Sequence, residues 1–170
     1  MKAIFATLAI ATLAACATTP MDGERAIAEL KPTKGSKAFG EVTFEQAGNK
    51  VRLIANVQGL KAGQQHGFHI HEVGDCGGDD GMRTKGHFDP HGKPHGQPGS
   101  GSHAGDLPAL SAGTDGRARL DVELGGLTIS PGAASIVGRG LIVHADPDDF
   151  KTQPTGNSGA RIACGVIQLE

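Results

Sequence analysis

The sequence contains no tryptophan, no tyrosine and only 6 phenylalanines, whereas glycine accounts for 27 of its 170 residues. Glycine at this level without low complexity favours short strands and frequent turns over helices. Beyond residue 20, no window repeats apolar residues at helical spacing. These absences argue against a helical fold and predict an all-β domain.

Basic runs are also missing, and aromatic residues are not interleaved with basic ones. The formal net charge is −2. This pattern excludes nucleic acid as a partner. A chain of 170 residues is long enough for one domain with a proper core and too short for two comfortable ones.

The first 16 residues differ in character from the rest. A basic start is followed by an apolar run from Ala3 to Ala15 that is too short to span a membrane, which predicts a secretory signal. The segment L-A-A-C resembles the signal of bacterial lipoproteins, in which Cys16 is lipidated and becomes the first mature residue. The alternative is ordinary cleavage after Ala17. Either reading predicts export, to the periplasm, with Cys16 as a membrane anchor in the first case.

The predicted organisation is a signal in residues 1–16, a tether in residues 17–25 and one domain in residues 26–170. After the signal only Cys76 and Cys164 remain, an even pair in an oxidising compartment. The sequence therefore predicts one disulfide between them.

Alternating apolar residues predict several strands. Two of them, 38–46 and 50–58, are joined by Ala47-Gly48-Asn49, a hairpin signal. Seven or eight strands joined by long loops predict a Greek-key barrel or sandwich of about eight antiparallel strands. The remaining predicted strands are 26–30, 66–72, 116–124, 141–144, 161–169 and a short one at 136–137.

The long segment from Val73 to Pro108 has no periodic pattern, which in a compact domain indicates a functional loop. All 8 histidines of the chain lie between residues 66 and 144, and neutral imidazole is the commonest metal ligand. Residues two apart on a strand share a face, so His69 and His71 project together. His144, on another strand, can complete their site across the barrel. His66 has the opposite parity and is predicted to be a core residue bonded to backbone.

A second set of candidate ligands lies in the loop, with His87, His95 and His103 at intervals of eight residues and Asp106 three further on. Three imidazoles and a carboxylate suit tetrahedral zinc, whereas a flattened set of imidazoles suits Cu(II). From the residues alone, either His91 or His95 can be the middle ligand.

Six motifs together resemble the copper/zinc superoxide dismutase family, close to its exported bacterial branch. In chain order they are G-F-H-I-H-E, G-D-C, G-H-F-D-P, H-A-G-D-L-P, V-H-A-D-P-D-D and G-A-R-I-A-C-G-V-I. The resemblance covers about residues 26–170. It implies dismutation of superoxide to O₂ and H₂O₂ by a redox-cycling copper next to a structural zinc, one of each per chain.

The resemblance also assigns roles to individual residues. His87 corresponds to the imidazole that bridges the two metals, and His95 rather than His91 to the middle zinc ligand. Asp148 corresponds to a carboxylate that hydrogen-bonds one histidine on each metal. Arg161 corresponds to the guanidinium beside the open copper position. The implied ligands are His69, His71, His87 and His144 for copper, and His87, His95, His103 and Asp106 for zinc.

The chain departs from the cytosolic branch of the family in its steering lysines, which have no clear match. Lys85, Lys93 and Lys151 are candidate substitutes. A non-catalytic copper/zinc buffer or chaperone on the same scaffold is the alternative function. An exported zinc hydrolase is disfavoured because no H-E-x-x-H motif is present. The sequence leaves the oligomeric state open, with a homodimer among the expectations.

Overall fold

The computed structural model describes residues 23–170, in which ten β-strands and one 3₁₀ turn form and no α-helix occurs. The predicted all-β class is therefore confirmed. The predicted signal, with Cys16, and most of the predicted tether lie outside the described residues. The strands are β1 (Arg25–Pro32), β2 (Phe39–Ala47), β3 (Lys50–Gln58), β4 (Gln65–His66), β5 (Phe68–His71), β6 (Leu110–Ser111), β7 (Ala118–Gly125), β8 (Gly140–His144), β9 (Arg161–Val166) and β10 (Gln168–Leu169).

Eight of these strands form one antiparallel sheet in the order β5–β8–β9–β1–β2–β3–β7, with β10 added on β1. Strand β1 joins the two halves of this sheet. Its residues Arg25 to Leu30 pair with β2, whereas Lys31 and Pro32 pair with β9. The sheet curls around one apolar core, so the predicted antiparallel barrel-like architecture of about eight strands is confirmed.

The hairpin of β2 and β3 forms where the sequence alternates most regularly. Its pairing runs without interruption from Phe39 opposite Gln58 to Ala47 opposite Lys50. At the turn Gly48 has φ 58°, a left-handed conformation that glycine adopts without steric cost. Alternate side chains of both strands are buried, as the alternation predicts: Val42, Phe44, Val51, Leu53, Ala55 and Val57.

The single strand predicted over residues 66–72 is wrong, because Gly67 divides it. The N–H of Gly67 donates to the carbonyl of Asp146, and its carbonyl accepts from the N–H of His144 at the end of β8, so Gly67 lies with β5 against β8 and not with β4 against β6. A Cβ at Gly67 would lie 2.6 Å from Oγ of Ser158. The result is that β4 pairs with β6, and β5 pairs with β8.

Two other predicted elements differ in the structure. Residues 136 and 137 form no strand, and this region contributes only an isolated bridge between Thr128 and Ser135. The predicted strand 161–169 is interrupted at Ile167, whose backbone bonds to Gly138 and Arg139. Its two parts, β9 and β10, pair with different portions of the sheet. No helix in residues 23–170 is long and apolar enough to cross a bilayer.

The long aperiodic segment is fixed to the free edge of β5. The N–H of Ile70 donates to the carbonyl of Gly105, and the carbonyl of Ile70 accepts from the N–H of Phe88. A Cβ at Gly105 would lie 2.2 Å from the Ile70 carbonyl oxygen, so only glycine permits this approach. The predicted disulfide is confirmed, and it ties Cys76 of the segment to Cys164 on β9. The segment is thus held by the disulfide to β9 and by backbone hydrogen bonds to β5, which carries His69 and His71.

Candidate metal centre

Four histidines converge at the junction of β5, β8 and the aperiodic segment, and we call them the four-histidine cluster. One nitrogen from each lies within 4.8 Å of the others, and all four residues are buried. Alternation along β5 aims two of them to the same side, and antiparallel pairing with β8 brings a third across. The members are His69, His71, His87 and His144.

A second group, which we call the mixed cluster, gathers around one carboxylate oxygen. Oδ1 of Asp106 lies 2.8 Å from Nδ1 of His87, 2.9 Å from Nδ1 of His95 and 3.5 Å from Nδ1 of His103. Three imidazole nitrogens and a carboxylate form the donor set of a closed tetrahedral zinc site. His91 is exposed and belongs to neither cluster. The structure therefore brings His95, and not His91, to the middle position.

His87 belongs to both clusters. Its Nδ1 faces Asp106, and its Nε2 is buried without a hydrogen-bond partner on the side of the four-histidine cluster. The carbonyl of Gly86 accepts from the N–H of Glu72, and the N–H of Phe88 donates to the carbonyl of Ile70, so both flanking residues fix its backbone. One imidazole therefore presents a nitrogen to each cluster.

The hydrogen bonds of the other three histidines fix which nitrogen carries the proton. Nε2–H of His69 donates to Asp148 (2.7 Å), Nδ1–H of His71 to the carbonyl of Lys85 (2.8 Å), and Nδ1–H of His144 to the carbonyl of Gly159 (3.2 Å). The opposite nitrogen of each ring is buried and has no partner. Buried polar atoms are rarely left unsatisfied, so these lone pairs fit a bound cation.

Burial keeps these imidazoles neutral. Desolvation, with repulsion from His87, holds the pKa values of His69 and His71 well below the ordinary 6.5. Desolvation also lowers the pKa of His144 to about 4. Burial alone would raise the pKa of Asp106, but hydrogen bonds from His87 and Gly96 lower it below its usual value. Desolvation also lowers the pKa of His87, so at pH 7 the four-histidine cluster presents neutral nitrogens and Asp106 is an ionised carboxylate, the forms that bind metals.

The carboxylate of Asp148 links the two clusters from outside. Its Oδ2 accepts from Nε2–H of His69, and its Oδ1 accepts from Nε2–H of His95 (2.9 Å) and from the N–H of Phe150 (2.7 Å). The side chain is almost fully buried. It contacts one histidine of each cluster, at the nitrogen that faces away from the other ligands.

Arg161 begins β9 and lies beside the four-histidine cluster, half-buried. Its guanidinium donates to the carbonyl of Gly81 (2.8 Å), to Oγ1 of Thr84 (2.7 Å) and to the carbonyl of Lys85 (2.6 Å). The Lys85 carbonyl is also the acceptor for His71, so one peptide group orients both the cation and a cluster imidazole. Sequence reasoning missed Thr84 and the Lys85 carbonyl, because both lie in the aperiodic segment and neither residue type signals a role.

His66 lies outside both clusters, as predicted. It is buried, and its Nδ1 is 2.8 Å from the carbonyl oxygen of His144. Through this contact it supports the backbone of a cluster residue.

The curled antiparallel β-sheet carries two adjacent clusters of metal-binding residue types, and one imidazole belongs to both. This arrangement places the chain in the class of proteins with a dinuclear metal centre. The family described as copper/zinc superoxide dismutase (SODC) matches residues 38–167. The chain belongs to this family.

Relatives and solved structures agree with this assignment. The chain is 39% identical to "Superoxide dismutase [Cu-Zn]" of Deinococcus radiodurans, over 92% of this chain and 90% of that protein. It is 37% identical to "Superoxide dismutase [Cu-Zn] 2" of Aquifex aeolicus, over 85% and 86%. The crystal structure of the clock protein EA4 superposes with a TM-score of 0.79 at 35% identity, covering 88% of this chain and 97% of that one. A SOD-like protein from Bacillus subtilis gives a TM-score of 0.76 at 34% identity, covering 82% and 96%.

Proposed function

We propose that this chain dismutates superoxide with copper bound by the four-histidine cluster and zinc bound by the mixed cluster. The observation that carries the proposal is the position of His87, whose two ring nitrogens face different clusters. An imidazole with one nitrogen towards each cluster could serve as a ligand to both ions. Membership of the family supports copper and zinc as those ions.

Bound copper would supply the redox chemistry, in which one superoxide loses an electron and leaves as O₂ and a second gains that electron and leaves with two protons as H₂O₂. The side chains of the protein attract the superoxide anion and hold a proton for the product. The Arg161 guanidinium attracts and orients superoxide, because it stays charged at every working pH. Nε2 of His87 holds one of the protons for the peroxide, while its Nδ1 stays directed at Asp106.

Steering needs a local positive patch, because the chain and its substrate are both negative. Lys85 is the strongest of the three candidate lysines. Its carbonyl contacts the Arg161 guanidinium at 2.6 Å, and its own side chain is exposed. Lys93 and Lys151 are exposed on other parts of the loops, where their N–H groups bond to Asp89 and Asp149.

Export to the periplasm, with a lipid at Cys16, belongs to the same proposal. The composition of residues 1–16 supports a signal, and the Cys76–Cys164 disulfide supports an oxidising compartment. Labelling of cells with a fatty-acid analogue tests the anchor, since a Cys16→Ser variant should incorporate none. A homodimer is also proposed, and sedimentation velocity of the purified protein measures it.

Stopped-flow measurement of superoxide decay tests the activity. The purified protein, loaded with one copper and one zinc and quantified by metal analysis, should approach the diffusional ceiling of about 10⁹ M⁻¹ s⁻¹ that superoxide dismutases reach. A copper chelator should abolish the decay. Slow decay with both metals tightly bound would instead indicate a metal-handling protein.

A matched pair of variants tests the bridging role. His87→Ala should lower the rate about 100-fold, because it removes a positioned proton donor along with the shared ligand. His91→Ala should retain the wild-type rate, because His91 is exposed and outside both clusters. Wild-type turnover in His87→Ala would refute the bridge.

A further inference from the structure

The loop from Asp148 to Gly156 forms hydrogen bonds with three atoms of His95. Asp148 accepts from Nε2–H of the ring, as described above. The side chain of Gln153 contacts both polar groups of the His95 backbone: its Oε1 accepts from the His95 N–H (2.9 Å), and its Nε2 donates to the His95 carbonyl (2.8 Å). The Gln153 side-chain amide therefore bonds to the N–H and the carbonyl of His95, as the backbone of a neighbouring strand would.

This contact takes the place of the strand pairing that fixes His87 and Asp106 in the same cluster. His87 forms a bridge with His71 of β5, and Asp106 forms a bridge with His69. His95 lies in a stretch without strands. Within residues 23–170, its backbone N–H and carbonyl form hydrogen bonds with the Gln153 side chain alone.

The loop that presents Gln153 is itself well fixed. The Asp149 carboxylate accepts from the N–H groups of Lys151 (2.9 Å) and Thr152 (2.8 Å). The N–H of Gly156 donates to the Thr152 carbonyl, and the N–H of Asp149 to the Gly156 carbonyl, which closes the loop. The Gln153 amide also donates to the Lys151 carbonyl at 3.3 Å. The loop and the Gln153 amide therefore have hydrogen bonds that do not depend on the contact with His95.

We propose that Gln153 is a positioning residue that fixes the backbone of His95 and thereby governs how long the mixed cluster holds zinc. This inference rests on the proposed role of His95 as a zinc ligand. A ligand whose backbone moves loses its alignment to the ion even when its ring is intact. Removal of such outer partners typically costs 10- to 100-fold in metal affinity. Loss of the amide should therefore shorten zinc retention without removing a ligand.

Release of zinc from the copper- and zinc-loaded protein into an excess of a chromogenic chelator, at neutral pH, measures this effect. Gln153→Met keeps the length of the side chain and removes both hydrogen bonds, so zinc should leave about tenfold faster. Gln153→Glu keeps the acceptor for the His95 N–H but sets a carboxylate against the His95 carbonyl, so release should be at least as fast. Gln97→Ala is the control, because Gln97 lies two residues past His95, is exposed, and makes no side-chain hydrogen bond in the described part of the chain.

A spectroscopic measurement distinguishes an effect on the alignment of His95 from a general stabilisation of the loop. With Co(II) in the mixed cluster, the ligand-field absorption bands should shift in Gln153→Met and stay unchanged in Gln97→Ala. Zinc release within about twofold of wild type, together with unchanged Co(II) bands, would overturn the inference. A wild-type protein that binds no zinc at the mixed cluster would overturn the proposed function itself.

Discussion

Replacing Asp148 with asparagine should weaken metal binding although the side chain keeps its shape. The two carboxylate oxygens accept from imidazoles of different clusters, at 2.7 Å from Nε2 of His69 and 2.9 Å from Nε2 of His95. An amide offers one acceptor oxygen, and its NH₂ group faces a ring N–H on the other side. That histidine either loses its hydrogen bond or moves its proton to the nitrogen that faces the metal.

The size of the effect follows from these two bonds. A hydrogen bond to a charged acceptor contributes about 1.5–3 kcal/mol, and one to a neutral acceptor about 0.5–1.5 kcal/mol. The retained bond therefore weakens by about 1 kcal/mol, and the lost bond adds about 2 kcal/mol. Since about 1.4 kcal/mol corresponds to a factor of ten, Asp148→Asn should lower metal affinity about 5-fold at the cluster whose histidine retains its bond and about 30-fold at the cluster whose histidine loses it.

Competition with chelators of known affinity, for copper and zinc separately, measures this loss. Asp146→Asn is the matched control, because it removes the same charge from an exposed side chain two residues away. It should bind both metals like the wild type. If Asp148→Asn also held both metals with wild-type affinity, the carboxylate would have no part in orienting the imidazoles.

Four further predictions concern the disulfide, the guanidinium, the buried imidazoles and the backbone. Replacing Cys76 and Cys164 with serine removes a link across a sequence separation of 88 and should lower the free energy of unfolding by up to about 4.6 kcal/mol in denaturant titrations; a loss below about 1 kcal/mol would contradict this. Arg161→Gln should slow superoxide decay about tenfold and flatten its dependence on salt, and an unchanged salt slope would argue against steering. In the metal-free protein, the unfolded state takes up a proton on His144 below the ordinary pKa of 6.5, whereas the folded state does so only near a pKa of about 4. His144 alone should therefore lower the stability by about 3 kcal/mol as the pH falls from 6.5 towards 4, and His69 and His71, whose pKa values are also lowered, should add to this fall; urea unfolding at several pH values measures the slope. Lys85→Gly should raise the free energy of unfolding by about 1 kcal/mol, because Lys85 has φ 64° and ψ −143°; destabilisation would refute backbone strain there.

Periodicity predicted those parts of the fold in which a strand is buried on one side. The residues of β3 alternate in a strict period of two, and its predicted bounds, 50–58, coincide with the strand Lys50–Gln58. The same rule brought His69 and His71 to one side of β5. Spacing also indicated the ligands in the aperiodic segment, although it left His91 and His95 as alternatives until the fold separated them by burial.

Other features depend on contacts between residues far apart in the chain. At Gly67 the pairing of the predicted strand changes from β6 to β8, and its backbone partners Asp146 and His144 lie nearly 80 residues away. The contact of Gln153 with His95 spans 58 positions, and a glutamine before a proline has no local signature of such a role. Periodicity indicates which side of one element packs against the core, so it does not predict which loop contacts which site.

The arrangement around Lys85 explains why the list of ligands is insufficient to describe this centre. A histidine binds a metal only through the nitrogen that lacks a proton, and the acceptor on the far side of the ring decides which nitrogen that is. For His71 the acceptor is the Lys85 carbonyl, which also binds the Arg161 guanidinium. The positive φ of Lys85 turns this peptide towards both groups. A single backbone conformation therefore couples the protonation of the His71 ring to the position of the Arg161 guanidinium, and a change at Lys85 acts on both together.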